Sequence, residues 1–468
     1  MKLKQFTFAF FTCSVAIVSG AGIAEAVTLT PIVEGLSNPR GLSFGPDGTL
    51  YVSEPGIGGN GNCQPSPSTL FQPICAGNTG SYIKVTSDGQ QSSILNNFQS
   101  LAEQPTGNQG AGLQDLQFDS LGNAYLLTGF AGYPGNRDLE LNTLGSQYPI
   151  PPGQITTFPP SAPDEVLNTP LLAQLFKVDL NTGELTSIFD FGEYEITNNP
   201  DGGDVVSNPY DLTISGDTAY VIDAGGNTSY SIKLNGSGFE TVAIPDNIVS
   251  STVLPPLPPG VEIPPGLVEF LPPEEPGQPP RIAIQSVPTG NAIGPDGALY
   301  VGEYTGFPYL DGAARIFRIA ESGIPEIFAE GFNHITDLTF DENGNLLVLQ
   351  FSDESQLGGD IRFLPGSLIK LAPDGTRTTL VAAGEGLESA AGLAIGPDNE
   401  IYITKRGVGP NLGQVVRVDL DAASVPEPSS TVGLLVFAAL SGGLLLKRQG
   451  RQLKDGSENI GKTETTVK

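Results

Sequence analysis

Three aspartates stand at the same position of a phrase that the sequence repeats six times. Each copy joins an apolar segment, a tight turn rich in Asp and Gly, and a second segment that begins with Tyr or Leu. The first segment begins with Asp115, Asp211 or Asp337 in three copies and with glycine in the others. Carboxylates that converge repel one another unless a cation, a proton or hydrogen bonds compensate. The pattern predicts either a calcium site or hydrogen bonds to neighbouring backbone, and both alternatives stay open.

A second set of acidic residues ends the second segment of the phrase. Its members are Glu54, Asp223 and Glu303. Carboxylate oxygens suit a hard divalent cation, so these residues are further candidate metal ligands. Charged side chains are equally common at the solvated ends of strands, and this interpretation also stays open.

Residues that could act as catalysts are scarce. His334 is the single histidine of the chain and is the one candidate base. The sequence contains no Ser-His-Asp set, nucleotide-binding loop or zinc-ligand spacing. It therefore leaves open whether the protein is an enzyme, and it offers no cofactor-binding motif.

The repeated phrase indicates the elements that must position these residues. Its copies are 40–54, 112–128, 210–223, 289–303, 336–350 and 391–405. A second type of hairpin, with alternating apolar and polar residues, follows five of them at 80–95, 174–189, 229–244, 314–328 and 366–381. Two hairpins make a four-stranded unit that cannot bury its apolar faces alone, so the units must pack together. The sequence predicts an all-β fold, a six-bladed β-propeller over residues 27–422.

The last blade lacks an outer strand, because the sixth copy is followed by one strand only. The segment that starts at Val27 resembles the outer strand of the preceding blade. We therefore expect the N-terminal strand to complete the last blade, which hides two strand edges. The aspartates would then line a central channel, which is where calcium would bind if the first of the two alternatives holds.

Insertions between the second and third strands, and one between blades, all emerge on the same face. We expect binding loops to concentrate on this loop-rich face. Two insertions are Pro-rich, around 149–170 and 255–280, and are predicted as polyproline segments or as disorder.

Cys63 and Cys75 lie twelve residues apart in one insertion. In an exported protein such a pair predicts a disulfide. A metal site is the weaker interpretation, since no histidine or further cysteine accompanies the pair.

The two ends of the chain resemble export and sorting signals. Residues 1–26 combine a basic start, an apolar run and a small-residue site, which is typical of a signal peptide. Residues 423–448 contain Val-Pro-Glu-Pro-Ser, an apolar stretch and Lys-Arg, an order that resembles a PEP-CTERM sorting signal with a short transmembrane helix. A polar tail, 449–468, follows. The protein is expected outside the cytoplasm, in the periplasm, at the cell surface or in the medium, with membrane contact through this segment before processing.

The charge restricts the partners. With 51 acidic and 22 basic residues the net charge is −29, and such a surface repels phosphate backbones. Nucleic acid is therefore not expected as a partner.

The phrases GLSFGPDGTLYVSE and GNAIGPDGALYVGE resemble NHL-type and SMP-30-type propeller repeats. Together with the end segments and the cysteine-containing insertion, they make the chain similar to the ScyD/ScyE family of exported propellers associated with the pigment scytonemin. The resemblance implies a secreted or anchored propeller that binds a small molecule, polysaccharide or protein on its loop-rich face and assists pigment or polysaccharide assembly. The alternatives are a calcium-assisted hydrolase or lactonase, a quinone-dependent sugar dehydrogenase using the central funnel, and a passive scaffold.

Overall fold

A computed structural model describes residues 27–148, 163–254 and 268–420. The predicted signal peptide, sorting segment and tail, and much of both Pro-rich insertions, lie outside the described residues. Within the described ranges no helix is long and apolar enough to cross a membrane. Val27–Leu420 forms one compact unit.

The described part of the chain forms antiparallel sheets of four or five strands and one small sheet of three. The larger sheets are sheet I (Leu42–Phe44, Leu50–Glu54, Cys63–Pro65, Pro73–Val85 and Gln91–Glu103), sheet II (Leu113–Phe118, Ala124–Thr128, Gln174–Val178 and Leu185–Asp190), sheet III (Pro209–Ser215, Thr218–Asp223, Thr228–Lys233 and Phe239–Ala243), sheet IV (Pro288–Ile293, Leu299–Glu303, Ala314–Ile319 and Pro325–Phe332), sheet V (Ile335–Phe340, Leu346–Gln350, Ser367–Leu371 and Arg377–Val381) and sheet VI (Gly392–Ile395, Ile401–Lys405, Gly413–Leu420 and Val27–Leu36). The small sheet contains Asn247–Ser250, Glu269–Leu271 and Arg281–Ile284.

The repeated phrase forms the first hairpin of each large sheet, and its turn explains its composition. In sheet II the Asp119 carboxylate accepts hydrogen bonds from the Asn123 backbone N–H at 2.8 Å and from the Tyr125 hydroxyl at 3.1 Å. The Tyr402 hydroxyl donates to Asp398 at 3.0 Å in the same way in sheet VI. The turn aspartate thus closes the hairpin and fixes the aromatic residue that begins the second strand.

The first strand of each large sheet is the inner one, and it contacts the inner strands of the sheets before and after it in sequence order. The cycle closes between sheet VI and sheet I. This arrangement defines a β-propeller, as the sequence predicts. Apolar side chains from the middle strands fill the space between sheets, for example Leu126 and Phe176 of sheet II, both buried.

The N-terminal strand completes sheet VI. Val27–Leu36 pairs antiparallel with Gly413–Leu420, with Leu29 opposite Val418. The prediction that the N-terminal strand completes the last blade is therefore confirmed.

Two α-helices and four short 3₁₀ helices occur in the described connections. The α-helices are Leu139–Gln147 and Phe191–Asn198, and the 3₁₀ helices are Pro67–Thr69, Pro134–Asn136, Ser251–Val253 and Gln356–Gly358. Each α-helix begins after an aspartate, Asp138 or Asp190, whose side chain accepts a hydrogen bond from a first-turn N–H. Leu141, Ile196 and Val205 pack the two helices together. The sequence pattern does not predict either helix.

Candidate functional site

The three inner-strand aspartates link the inner strands of neighbouring sheets. Asp211 accepts a hydrogen bond from the Leu212 N–H at 2.9 Å and, across the boundary to sheet IV, from the Asn291 N–H at 2.6 Å. Asp337 accepts from the Leu338 N–H and, across the boundary to sheet VI, from the Leu393 N–H at 2.6 Å. Both carboxylates therefore connect two blades.

Asp115 makes the corresponding local bond. Its Oδ1 accepts from the Leu116 N–H at 2.8 Å, and its Oδ2 accepts from the Gln117 side chain at 3.0 Å. Burial raises the pKa of Asp115, and donors from Gln117, the Leu116 N–H and the Leu212 N–H of sheet III offset a part of this shift. Of the two alternatives for these aspartates, the hydrogen-bond pattern supports the bonds to neighbouring backbone.

Glycine occupies this position in the other three copies because the inner strands approach closely. A Cβ on Gly290 would lie 2.8 Å from the Asp337 Cα, and one on Gly392 would lie 2.5 Å from the Arg40 carbonyl oxygen. A side chain does not fit at such distances without moving backbone.

The aspartates are close enough to influence one another. Burial raises the pKa of Asp115 to about 7. Burial also raises the pKa of Asp211 well above its usual range, and the charges of Asp337 and Asp115 raise it further. The pKa of Asp337 is shifted in the same direction by burial and by Asp115. The three buried carboxyl groups thus influence one another, and burial favours their protonated forms.

The second acidic set is also held by donors of the protein. Glu54 accepts from the Ser37 N–H at 2.7 Å. Asp223 accepts four hydrogen bonds, among them one from the Ser207 hydroxyl at 2.7 Å. Glu303 is fully buried and forms an ion pair with Arg315 at 2.6 Å. These residues anchor the chain where strands begin and end at the loop-rich face.

Within the part of the chain that the structure describes, no three His, Cys, Asp or Glu side chains come together as a metal ligand set. The calcium ion in the central channel stays a prediction from the sequence.

His334 lies behind the wall of the funnel. It is 1% exposed, and its Nδ1 is 3.1 Å from the Ser352 carbonyl oxygen. Its ring packs against Tyr304 and Tyr309, with centroids 5.2 and 6.2 Å away. Burial lowers the pKa of His334 and so favours the neutral imidazole. Its contacts position the two tyrosines.

A cavity of about 200 Å³ opens above the ring of aspartates, on the loop-rich face. We call it the funnel cavity. Each large sheet contributes a wall residue from the loop after its second strand: Phe71, Ala131, Ala224, Tyr304, Phe351 and Val408. Tyr210, Phe307 and Tyr309 add further aromatic surface. The walls therefore suit a planar organic molecule.

The floor of the funnel cavity comes from the inner strands. Arg40, Gln114, Tyr210 and Thr289 all line it, and each immediately precedes a residue of the Asp/Gly ring. This position was not among the residues predicted from the sequence. The signal for it is the residue immediately before each Gly or Asp of the ring, which is a larger polar or aromatic residue in these four copies.

Arg40 brings a positive charge into the funnel cavity. Its guanidinium donates to the Gly407 carbonyl and, at 3.3 Å, to the Gly110 carbonyl. Its Nε is buried and has no hydrogen-bond partner among the described residues. The charge of Arg40 lowers the pKa of Tyr210 and Tyr304, although burial dominates and raises both. A guanidinium among aromatic rings favours an anionic or strongly polar oxygen on a ligand.

The predicted disulfide is confirmed. Cys63 and Cys75 are bonded and lie opposite each other in neighbouring strands of sheet I. The loop that they close carries Pro67, Ser68 and Phe71 to the funnel cavity. The bridge therefore supports part of the cavity wall.

No protein-family model matches this chain, and no curated protein matches it. Solved structures similar to it include the PQQ-bound aldose sugar dehydrogenase from Streptomyces coelicolor, with 12% identity and a TM-score of 0.44, covering 84% of this chain and 98% of the other. The calcium-binding protein regucalcin from Agrobacterium tumefaciens has 11% identity and a TM-score of 0.42, covering 84% and 94%. Virginiamycin B lyase from Staphylococcus aureus has 11% identity and a TM-score of 0.40, covering 84% and 100%. The sheets of this chain, with inner strands that contact one another in a closed cycle, define it as a β-propeller.

Proposed function

We propose that this protein is an exported β-propeller that binds a small, planar aromatic molecule with an acidic group in the funnel cavity. The observation that carries the proposal is the Arg40 guanidinium, whose buried Nε has no partner among the described residues, inside a cavity walled by aromatic rings. An aromatic ligand would stack on the walls, and its acidic oxygens would accept hydrogen bonds from Arg40.

The role of such binding would lie outside the cytoplasm, in the assembly of a pigment such as scytonemin or of a polysaccharide. Support comes from the export-type N-terminus and from the resemblance to the ScyD/ScyE family. A phenolic or indolic pigment precursor fits the chemistry of the cavity, since it combines a planar ring with polar oxygens.

The absence of tryptophan makes the test direct. Indole-3-acetate can be excited where tyrosine does not absorb, so that its own fluorescence reports binding to the full-length protein. We expect saturable binding by the native protein and a loss of about 10-fold or more in Arg40→Gln, because a hydrogen bond to a charged group contributes about 1.5–3 kcal/mol.

The matched control is Arg362→Gln, which removes an exposed arginine paired with Asp360 on the rim. It should bind like the native protein. Indole-3-acetamide, which lacks the charge, should bind native and Arg40→Gln proteins equally. Absence of binding by the native protein, or equal loss in both variants, would refute the proposal.

A further inference from the structure

A second polar site lies beside the funnel cavity, between the helix Phe191–Asn198 and the loop 199–206 that follows it. Glu195 lies in this helix with its side chain fully buried. Neither of its carboxylate oxygens has a hydrogen-bond partner among the described residues. Burying an unpaired carboxylate costs several kcal/mol, so this arrangement requires a compensating group.

The surroundings of Glu195 are negative. Burial raises the pKa of Glu195 to about 10, and the charges of Asp223 and Asp201 add to the shift. The Val206 N–H faces this carboxyl group and offsets a part of the shift, but its geometry is not that of a hydrogen bond. None of these three acids is in an ion pair in the described part of the chain. Protonation of Glu195 would remove its charge, but it would leave a buried O–H donor without an acceptor.

The neighbouring residues define where a ligand would lie. A Cβ on Gly226 would come 3.0 Å from the Glu195 Oε2. The adjacent Asn227 side chain donates to Asp201 Oδ2 at 3.0 Å, and Gly203 N–H donates to Asp201 Oδ1 at 2.8 Å. Asp201 thus keeps one unused lone pair on each oxygen. Asp223 already accepts four hydrogen bonds. It therefore adds negative charge to the surroundings of Glu195, but its oxygens are not expected to coordinate a cation.

Other buried oxygens in this region also lack partners. The Tyr230 hydroxyl is fully buried and unpartnered among the described residues, and the charges of Asp223 and Glu195 raise the pKa of Tyr230 beyond the effect of burial. The Asn199 side-chain oxygen is buried and, within the same described ranges, unpartnered too. The region therefore offers several oxygen atoms and, among the described residues, no cation of its own.

We infer that Glu195 and Asp201 bind a calcium ion. Two carboxylates balance its charge, and amide, hydroxyl, carbonyl or water oxygens complete the six to eight ligands that calcium accepts. Calcium is favoured over magnesium because a single loop with irregular oxygen positions does not provide the octahedral geometry that magnesium demands. The site is separate from the ring of aspartates on the channel axis.

The test is calcium titration of the purified full-length protein after chelation, by calorimetry and by thermal unfolding. We expect calcium to raise the Tm of the native protein and the change Glu195→Gln to weaken binding at least about 10-fold. Without calcium, Glu195→Gln should be about as stable as the native protein, because a neutral amide replaces a protonated carboxyl group of similar size. Asp201→Asn should weaken binding in the same way.

The matched control is Glu193→Gln, an exposed residue in the same helix, which should respond to calcium like the native protein. Asp211→Ala tests the predicted channel site: it should lower stability yet keep the calcium response. If calcium neither binds to the native protein nor raises its Tm, the inference is overturned, and a buried water beside Glu195 becomes the explanation for its unpaired oxygens. A response kept in Glu195→Gln and lost in Asp211→Ala would overturn it in favour of the channel. Neither outcome bears on aromatic-ligand binding.

Discussion

Asp337 accepts a hydrogen bond from the Leu393 backbone N–H at 2.6 Å, across the boundary between sheets V and VI. The same relation joins Asp211 to Asn291 at 2.6 Å, across the boundary between sheets III and IV. The Asp337 and Asp211 carboxylates thus connect neighbouring blades through hydrogen bonds. These side chains contribute bonds between inner strands of different blades, which are not paired as neighbours in a sheet.

Replacing Asp337 by asparagine should therefore destabilise the protein. The amide that replaces the carboxylate would place an NH₂ group against one of two backbone N–H donors and leave that donor unpaired. We expect a loss of about 1–3 kcal/mol in the free energy of unfolding, measured by urea denaturation. Asp311→Asn, at an exposed position, should change it by less than about 0.5 kcal/mol. Equal losses of unfolding free energy in both variants would contradict the role of Asp337 in connecting the two blades.

The glycines of the ring should be equally sensitive. In Gly290→Ala the new Cβ would lie 2.8 Å from the Asp337 Cα, and backbone must move to admit it. Overpacking of this kind costs about 1–3 kcal/mol. Gly238→Ala is the matched control, because a Cβ there meets no atom within 4 Å. The two variants are compared by thermal unfolding. Equal Tm values for Gly290→Ala and Gly238→Ala would show that the inner strands can accommodate a Cβ atom at position 290.

The buried aspartates should make stability depend on pH. The pKa of Asp115 is about 7 in the folded protein and about 3.9 in an unfolded chain. Between these values the folded state keeps a proton that the unfolded state has lost. The stabilisation is therefore complete below about pH 3.9 and disappears as the pH rises towards about 7. The pKa values of Asp211 and Asp337 shift in the same direction.

We expect the free energy of unfolding to fall between about pH 4 and about pH 7, and Asp115→Asn to flatten this slope. Urea denaturation at a series of pH values measures it. Asp374→Asn is the control: its pKa is lowered by the Thr376 N–H, so this residue titrates below the window. A slope unchanged in Asp115→Asn would mean that Asp115 is ionised throughout.

Much of the fold was predictable because its chemistry is local and repeated. The contact between Asp119 and Tyr125 spans six residues, and five of the six copies of the phrase place a tyrosine near the start of the second strand. The closure of sheet VI was also visible, since Val27 begins a segment that matches an outer strand. The position of the aspartates on the inner strands followed from this alignment.

The rest depended on contacts between distant segments. Arg40 reaches Gly407 and Gly110, and no periodicity of the sequence connects these residues. The helix Phe191–Asn198 has an N-terminal aspartate but only eight residues, so its apolar pattern is too short to recognise. The funnel cavity is made of loops that meet only after the blades have packed, and for this reason its aromatic walls were not predicted.

The disulfide connects stability to the proposed binding site. Cys63 and Cys75 close a short loop that carries Phe71 to the cavity wall. Replacing both by serine should cost about 2–3 kcal/mol of unfolding free energy and weaken binding of indole-3-acetate, because Phe71 loses its fixed position. Native protein treated with a reducing agent should show the same stability and affinity as the double variant. The control Arg362→Gln, reduced in the same way, should have the affinity of reduced native protein. Unchanged affinity in the double variant, measured by the ligand's fluorescence, would show that neighbouring strands alone hold this wall in place.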